Sequence, residues 1–232
     1  HTPTSSAMGM IAIGAGGLDV AKAMAGIPYR LTMPEVVNIK LEGKLSHGVS
    51  AKDIILEVLR QLSVKGGVGK VFEYSGEALK DLTVYQRATI TNMGAELGAT
   101  TSIFPSDEVT HEFLKQQGRE EDYICLGADE GCQYDDTLVI DCSTLKPMAA
   151  CPNSPDAVVT IESLQGKKVD QVAIGSCTNS GYEDLMKAAK ILEGKKIADH
   201  VSLVVSPGSR QVLMKLMENG TLKTFVQAGA RI

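Results

Sequence analysis

The last third of the sequence alternates between strand-like and helix-like segments, and this order constrains the fold more than any other feature. Residues 171–174 and 201–205 are short apolar runs typical of strands, whereas residues 181–193 and 211–217 carry apolar side chains at helical spacing. A strand–helix–strand–helix order predicts parallel strands joined by crossover helices. Ligands of such sheets bind beyond the carboxyl ends of the strands, so we expect chemistry just after residue 174.

The first two thirds of the sequence alternate in a similar way. Residues 36–41, 71–74 and 137–141 are predicted strands, and residues 84–98 are a predicted helix. Another helix is predicted to begin in the run Ser50–Asp53, which resembles a capping box and is followed by apolar residues on one helical face. We therefore predict an α/β protein with two α/β domains and mostly parallel sheets.

Two glycine-rich segments resemble phosphate-binding loops, but each lacks a residue that such a loop needs. In Ile13–Asp19 the third glycine is replaced by Asp19, whose carboxylate would face a pyrophosphate. In Lys65–Lys70 the following residue is Val71, where a magnesium-binding loop needs Ser or Thr. We interpret the second segment as a turn, and we predict that the small-residue segment Met8–Ala25 packs closely against another element.

The composition excludes several classes of protein. The net charge is −5, and no run of Lys and Arg is longer than two residues, which argues against a nucleic-acid partner. No apolar stretch approaches the roughly 20 residues that span a bilayer, so no membrane partner is predicted. The five cysteines are odd in number and include no C-x-x-C pair, which favours a reducing compartment over a disulfide framework.

The segment Gly175–Ser180 is the strongest candidate for a functional site. It joins a predicted strand to a predicted helix and carries Cys177, whose thiolate would be favoured by the free amides of a helix N-terminus. Such a cysteine suits a nucleophile, a redox thiol or an iron ligand, and a partly buried structural cysteine is the alternative. No histidine or second cysteine is assigned to it by spacing, so the residues alone leave these possibilities open.

The motif Ile174–Ser180 is similar to the first cluster-ligand signature of the aconitase superfamily. Further motifs of this family occur in the family's order, in the segments His1–Thr4, Met24–Pro28, Ser50–Leu56, Val64–Gly67, Thr91–Pro105 and Ser206–Ser209. The resemblance therefore covers essentially the whole chain. It implies the α/β architecture of the aconitase iron–sulfur part, incomplete here.

The resemblance also implies a cofactor. In this family three cysteines hold a [4Fe–4S] cluster and leave one iron open to the substrate. Cys177 corresponds to the first of these ligands. The other two belong to a C-x-x-C pair, which we expect a few residues beyond Ile232, because we expect both ends of the sequence to be cut from a longer chain.

Several other site residues are carried over from the same motifs. His1 corresponds to a histidine that holds the hydroxyl or water at the open iron, and Glu96 to its carboxylate partner, so both are predicted catalytic residues. Asn92 corresponds to an amide near the cluster. Ser176 and Asn179 are placed in the environment of substrate and cluster, with a role in the turn as the alternative for Ser176.

The resemblance divides the chain into parts of three domains. Residues 1–34 would end a first α/β domain, residues 35–145 would form a second, and residues 146–232 would begin a third that carries Cys177. The Pro-rich and Cys-rich segment 142–157 supports the second boundary. The remaining domains of the same protein are the implied partners, together with a small tricarboxylic acid as substrate.

The implied activity is that of an aconitate hydratase, a lyase of the tricarboxylic acid cycle that interconverts citrate and isocitrate through cis-aconitate. The run Gly98–Pro105 resembles aconitase itself. The alternatives are the large subunit of 3-isopropylmalate dehydratase or of homoaconitase and, from another class, an iron-responsive RNA-binding protein. We expect a cytoplasmic protein, or one of the mitochondrial matrix in a eukaryote, and we expect this chain alone to be inactive.

Overall fold

A computed structural model describes residues 6–176 and 178–232. The chain divides into two compact units, residues 1–165 and residues 166–232. Each unit is an assembly of helices and strands with its own buried apolar cluster. The predicted domain boundaries at 34/35 and 145/146 stay predictions.

The first unit contains a parallel four-stranded sheet. Its strands are β1 (Glu35–Glu42), β2 (Lys70–Ser75), β3 (Thr101–Ile103) and β4 (Asp136–Asp141), in the order β3-β2-β1-β4. Every neighbouring pair in this sheet is parallel. The predicted α/β class with parallel strands is therefore confirmed. β3 was not predicted, because three residues are too few to show a period.

Helices and short antiparallel strands complete the first unit. The α-helices are α1 (Gly17–Met24), α2 (Ala51–Leu62), α3 (Val84–Met93) and α4 (Glu108–Gln116). Short 3₁₀ helices are Glu77–Asp81, Gly94–Leu97, Glu120–Asp122 and Ile161–Leu164. The strands β5 (Met148–Ala150) and β6 (Val158–Thr160) pair antiparallel. The single helix predicted over residues 84–98 is thus an α-helix to Met93, followed by a 3₁₀ turn.

The helix α2 is the central helix of this core, and its capping box is confirmed. The Asp53 carboxylate accepts hydrogen bonds from the Ser50 backbone N–H at 2.7 Å and from the Ser50 hydroxyl at 2.9 Å. Its other oxygen accepts from the Met148 backbone N–H at 2.7 Å, which ties β5 to the helix N-terminus. One residue thus starts the helix and anchors a segment 95 positions away. The buried face carries Ile54, Ile55, Leu56, Val58 and Leu59.

The close packing predicted for Met8–Ala25 is wrong for the helical part of this segment. None of the residues of α1 is buried, and Leu18 and Met24 are 70% and 85% exposed. Small side chains permit close approach to another element, but they do not supply the apolar area that would drive it. The partly buried residues of the segment are Met8 and Gly9, next to Ala7, then Ala12 and Ile13, and Asp19 within the helix.

The second unit is smaller and keeps the predicted order. The strands β7 (Gln171–Ile174) and β8 (Ser202–Val205) pair in parallel. The helices are α5 (Tyr182–Leu192), α6 (Arg210–Glu218) and α7 (Thr221–Ala228), the last of which was not predicted. The core consists mainly of Leu185, Leu203, Val205, Leu216 and Phe225. Across residues 6–176 and 178–232, no helix combines the length and the apolar character that crossing a membrane requires.

Candidate functional site

Two of the predicted site residues, His1 and Cys177, lie outside the described residues. The other four fall in different units. Asn92 and Glu96 belong to the first unit, and Ser176 and Asn179 belong to the second. The two neighbourhoods are therefore described separately.

Asn92 lies in the last turn of α3 and is half-buried. It lines a cavity of about 220 Å³, together with Thr91, Gly94, Thr101 and Ser102. A single water needs only roughly 10–15 Å³ of such space, whereas whole ligand pockets usually measure about 300–1,000 Å³, so the cavity has room for one end of a small organic molecule. The sequence-predicted amide is thus placed at a real cavity.

The other side of this cavity is formed by the segment before α1. The Phe104 backbone N–H donates to the Ser6 carbonyl at 2.9 Å, and the Thr101 hydroxyl donates to the Ala12 carbonyl at 2.7 Å. Ser6 and Ala12 both line the cavity. The segment that follows the predicted His1 motif therefore runs along β3 to the same cavity as Asn92.

Ser102 is the unusual group in this cavity. The residue is 3% exposed, and its Oγ has no hydrogen-bond partner among the described residues. Buried hydroxyls are nearly always paired, and leaving one unpaired costs about 1–3 kcal/mol. The neighbouring Thr101 hydroxyl, by contrast, is paired.

Gly94 leaves the space that the Ser102 side chain occupies. A Cβ at position 94 would lie 2.2 Å from Ser102 Oγ and 3.2 Å from its Cβ. Gly94 has an ordinary helical φ of −57°, so the glycine is needed here for close approach and not for a special backbone conformation. Gly94 and Ser102 therefore pack closely against each other in the lining of the cavity.

Glu96 lies in the 3₁₀ helix that follows Asn92, and its side chain is exposed. It is not among the residues that line the cavity. Its predicted role as a carboxylate partner stays a prediction, with a surface carboxylate as the alternative.

In the second unit, Ser176 organises the turn after β7. Its Oγ accepts hydrogen bonds from the backbone N–H groups of Thr178 at 3.3 Å and Asn179 at 3.2 Å. Its φ is +102°, a region that L-residues rarely adopt. Such strain often occurs at functional turns. Here the two hydrogen bonds from Thr178 and Asn179 to Ser176 Oγ stabilise the strained conformation.

The rest of this turn is held by Ser180 and by the segment after β8. The fully buried Ser180 donates from its hydroxyl to the Ser176 carbonyl, and the Gly208 N–H donates to the Ser180 carbonyl at 3.0 Å. The Ser206 N–H donates to the Ile174 carbonyl at 2.8 Å. The residue that caps α5 is Gly181, so Ser176 and Asn179 do not cap this helix.

The described cysteines do not provide a cluster site. Cys125 and Cys132 are exposed, Cys151 is half-buried and Cys142 is buried. Burial, assisted by the nearby Asp141 carboxylate, raises the pKa of the Cys142 thiol to about 11, which disfavours its thiolate. Within residues 6–176 and 178–232 no three His, Cys, Asp or Glu side chains come together as metal ligands. The described donors therefore do not make up the ligand set of an iron–sulfur cluster.

Sequence reasoning predicted close packing or a helix end at Gly94, but it assigned no site role to Gly94 or Ser102. Both lie inside the long motif Thr91–Pro105, so the motif marked the region. It did not mark these residues, because an orphaned hydroxyl and the space beside it are properties of packing.

Comparison with known proteins identifies the family. The model of the aconitase family (aconitate hydratase) matches residues 1–168 and 162–232, which together cover the chain. The chain belongs to the aconitase family. The resemblance seen in the sequence motifs is confirmed.

Named relatives fall into two groups. The chain is 40% identical over 232 residues to the 3-isopropylmalate dehydratase large subunit 2 of Archaeoglobus fulgidus, covering 100% of this chain and 56% of that protein. It is 41% identical over 234 residues to large subunit 1 of Thermotoga maritima, with the same coverage. It is 38% identical over 250 residues to the mitochondrial aconitate hydratase of Candida albicans, covering 99% of this chain and 32% of that protein. The chain spans about half the length of the dehydratase subunits and a third of that aconitate hydratase.

Proposed function

We propose that this chain is part of a hydro-lyase that removes water from, and returns it to, a small 2-hydroxy polycarboxylic acid. The observation that carries the proposal is the family match over the whole chain, with its motifs present at Asn92, Glu96 and Cys177. A cavity suited to a small molecule beside Asn92 supports it. The remaining domains of the longer protein would be the structural partners.

We propose a [4Fe–4S] cluster as cofactor, with Cys177 as one of its ligands. When bound, such a cluster supplies a Lewis-acidic iron that weakens a carbon–oxygen bond. The described residues do not complete the ligand set, so the other two thiolates would come from outside this chain. Ser176 and Asn179 support the proposed ligand indirectly, because their hydrogen bond spans position 177.

The proposed roles of the other residues concern protons and orientation. His1 and Glu96 would hold the departing hydroxyl and donate the proton with which it leaves as water, as general acids do when they lie within hydrogen-bond reach. Asn92 would orient the bound acid from the cavity wall. With only these parts, we expect the chain by itself not to exchange citrate and isocitrate.

Citrate and isocitrate are the first candidate substrates, because the run Gly98–Pro105 resembles aconitase. A second candidate is 3-isopropylmalate, and the alignments favour it. The dehydratase subunits of Archaeoglobus and Thermotoga align over 232 and 234 residues, which equals the length of this chain to within two residues, whereas the alignment with the Candida aconitate hydratase extends over 250. If the second candidate is right, a small subunit becomes the expected partner.

A substrate panel on the full-length protein tests the proposal. The protein, with its cluster reconstituted anaerobically, would be offered citrate, isocitrate, 3-isopropylmalate and homocitrate, and formation of the unsaturated acid would be followed. Turnover of citrate and isocitrate supports the first candidate, and turnover of 3-isopropylmalate supports the second. Turnover of none of these acids would contradict the proposed activity.

A role in RNA binding is the alternative from another class, and the net charge of −5 argues against it. A gel shift with the full-length protein lacking its cluster, repeated at two salt concentrations, tests it. Salt-sensitive binding of RNA would favour this alternative. We propose a cytoplasmic location, which fractionation of the source cells would test.

A further inference from the structure

The hydroxyl of Ser102 is the described group whose environment is least explained by the fold. It is buried, it lines the cavity beside Asn92, and no described atom pairs with it. Strand serines usually satisfy the hydroxyl with a nearby backbone carbonyl, as Thr101 does with Ala12. A donor that is buried and unpaired in the wall of a cavity gains a partner when a ligand reaches it.

The glycine at position 94 leaves space for this hydroxyl. With any residue other than glycine at position 94, a Cβ would lie 2.2 Å from Ser102 Oγ and force it to move. Gly94 follows Asn92 by two positions, so the two residues lie in the same turn at the end of α3. Asn92 lines the cavity, and Gly94 leaves space there for the Ser102 hydroxyl. Ser102 faces them from β3.

We propose that Ser102 is a substrate-binding residue, whose hydroxyl donates a hydrogen bond to a carboxylate oxygen of the acid bound in this cavity. The substrate class rests on the proposed function. Carboxylates accept hydrogen bonds more strongly than neutral groups do, and a buried donor such as the Ser102 hydroxyl loses little to competing solvent. The cavity of about 220 Å³ has room for one end of a small polycarboxylic acid.

A ligand-binding hydroxyl and a structural hydroxyl differ in how their removal changes the stability of the ligand-free protein. A structural hydroxyl is paired in the ligand-free protein, so its removal destabilises the fold. Removal of an unpaired buried hydroxyl leaves the stability unchanged or raises it, because an unsatisfied polar group is taken away. Binding of the acid should weaken at the same time, since its hydrogen bond is lost.

The experiment compares Ser102→Ala with Thr110→Val in the full-length protein. Thr110 is the matched control, because its Oγ1 is also buried and unpaired among the described residues but lies in α4, away from the cavity. Titration calorimetry with citrate, 3-isopropylmalate and the unreactive tricarboxylate tricarballylate gives the Kd, and thermal unfolding without ligand gives the stability. Steady-state assays add KM and kcat for any acid that is turned over.

We expect Ser102→Ala to raise Kd and KM about tenfold or more, with a smaller change in kcat and no fall in the unfolding temperature. Thr110→Val should leave Kd and KM within about twofold. An unchanged Kd in Ser102→Ala would overturn the inference while leaving the proposed function intact. A fall in unfolding temperature together with an unchanged Kd would show that the hydroxyl is structural, and it also overturns the inference.

The two proposals fail in distinguishable ways. If the wild type turns over none of the acids but binds one of them, and Ser102→Ala weakens that binding, the proposed activity fails and the binding role of Ser102 is supported. If the wild type binds none of the three acids, the inference is overturned, whatever else the protein does.

Discussion

The cavity beside Asn92 in the first unit and the turn Gly175–Ser180 in the second are built by opposite means. The cavity is made by segments distant in sequence, from Ser6 to Ser102, which packing brings together. The turn is made almost entirely by its own hydrogen bonds, with support from the segment after β8. A local motif can specify the turn, but only the assembled core can specify the cavity.

The largest expected effect is on the long-range packing of the first unit. Arg87 is fully buried, and its two terminal nitrogens donate to the Asp107 carboxylate at 2.8 and 2.7 Å and to the Leu79 carbonyl at 2.9 Å. Arg87→Met should lower the free energy of unfolding by about 3 kcal/mol, because Asp107 and a buried carbonyl lose their donor. Urea denaturation measures the change.

The matched control for this change is Arg60→Met. Arg60 pairs with Glu57 at 2.7 Å, but its side chain is 51% exposed. Exposed pairs contribute less than about 1 kcal/mol, so the control should change the stability little. Equal losses in the two variants would show that the buried pair does not organise the core around α3.

The next effect tests the contact between Gly94 and Ser102. Gly94→Ala should destabilise the protein by roughly 1–3 kcal/mol, because the new Cβ would lie 2.2 Å from Ser102 Oγ. Adding Ser102→Ala should recover part of this loss, since the remaining Cβ lies farther away, at 3.2 Å. A double-mutant cycle by urea denaturation measures the coupling, which we expect at about 1 kcal/mol.

Gly14→Ala provides the control for that cycle. A Cβ at Gly14 would meet nothing within 4 Å, so this variant reports the effect of replacing a glycine without a clash. If the stability changes of Gly94→Ala and Ser102→Ala simply add in the double variant, the predicted contact is contradicted.

A smaller effect is expected at the turn of the second unit. In Gly208→Ala the new Cβ would lie 3.0 Å from Ser180 Oγ and 3.3 Å from the Ser176 carbonyl. We expect a loss of about 1 kcal/mol, because these neighbours need to move only by a few tenths of an ångström. Thermal unfolding measures it. A loss as large as that of Gly94→Ala would remove the proposed difference between the two regions.

The smallest expected effect concerns the rate at which individual cysteines are alkylated in the folded protein. Cys142 directly follows β4, and Cys177 comes three residues after β7 in the sequence. Burial raises the pKa of the Cys142 thiol to about 11. At pH 8 iodoacetamide should therefore alkylate Cys125 and Cys132 well before Cys142, and peptide mass spectrometry would give the order.

The direction of the pH dependence follows from the same shift. The folded thiol of Cys142 binds its proton more tightly than an unfolded thiol, so its contribution to stability is full below the unfolded pKa and is lost as pH rises towards 11. In concentrated urea Cys142 should react as fast as the others. Fast alkylation of Cys142 in the native protein would show that β4 opens at its carboxyl end.

Much of the fold was predictable, because it depends on local patterns. The capping box at Ser50 and Asp53, the strands β1, β2, β4, β7 and β8, and the order of the second unit all follow from residues close in sequence. The helix α7 and the three-residue strands β3, β5 and β6 were missed, since none of them carries a clear period. Of the site, Asn92 was placed at a cavity, whereas the roles of His1, Glu96 and Cys177 stay predictions.

The sequence by itself determined the class of the fold, the family and the location of the turn that carries Cys177, because motifs, caps and apolar periods act over a few residues. The tertiary structure alone decided that α1 is exposed, that Ser6 and Asn92 share a cavity, and that Ser102 has an unpaired hydroxyl there. The physical reason is that burial and hydrogen-bond satisfaction are sums over neighbours. Those neighbours are chosen by the packing of segments far apart along the chain.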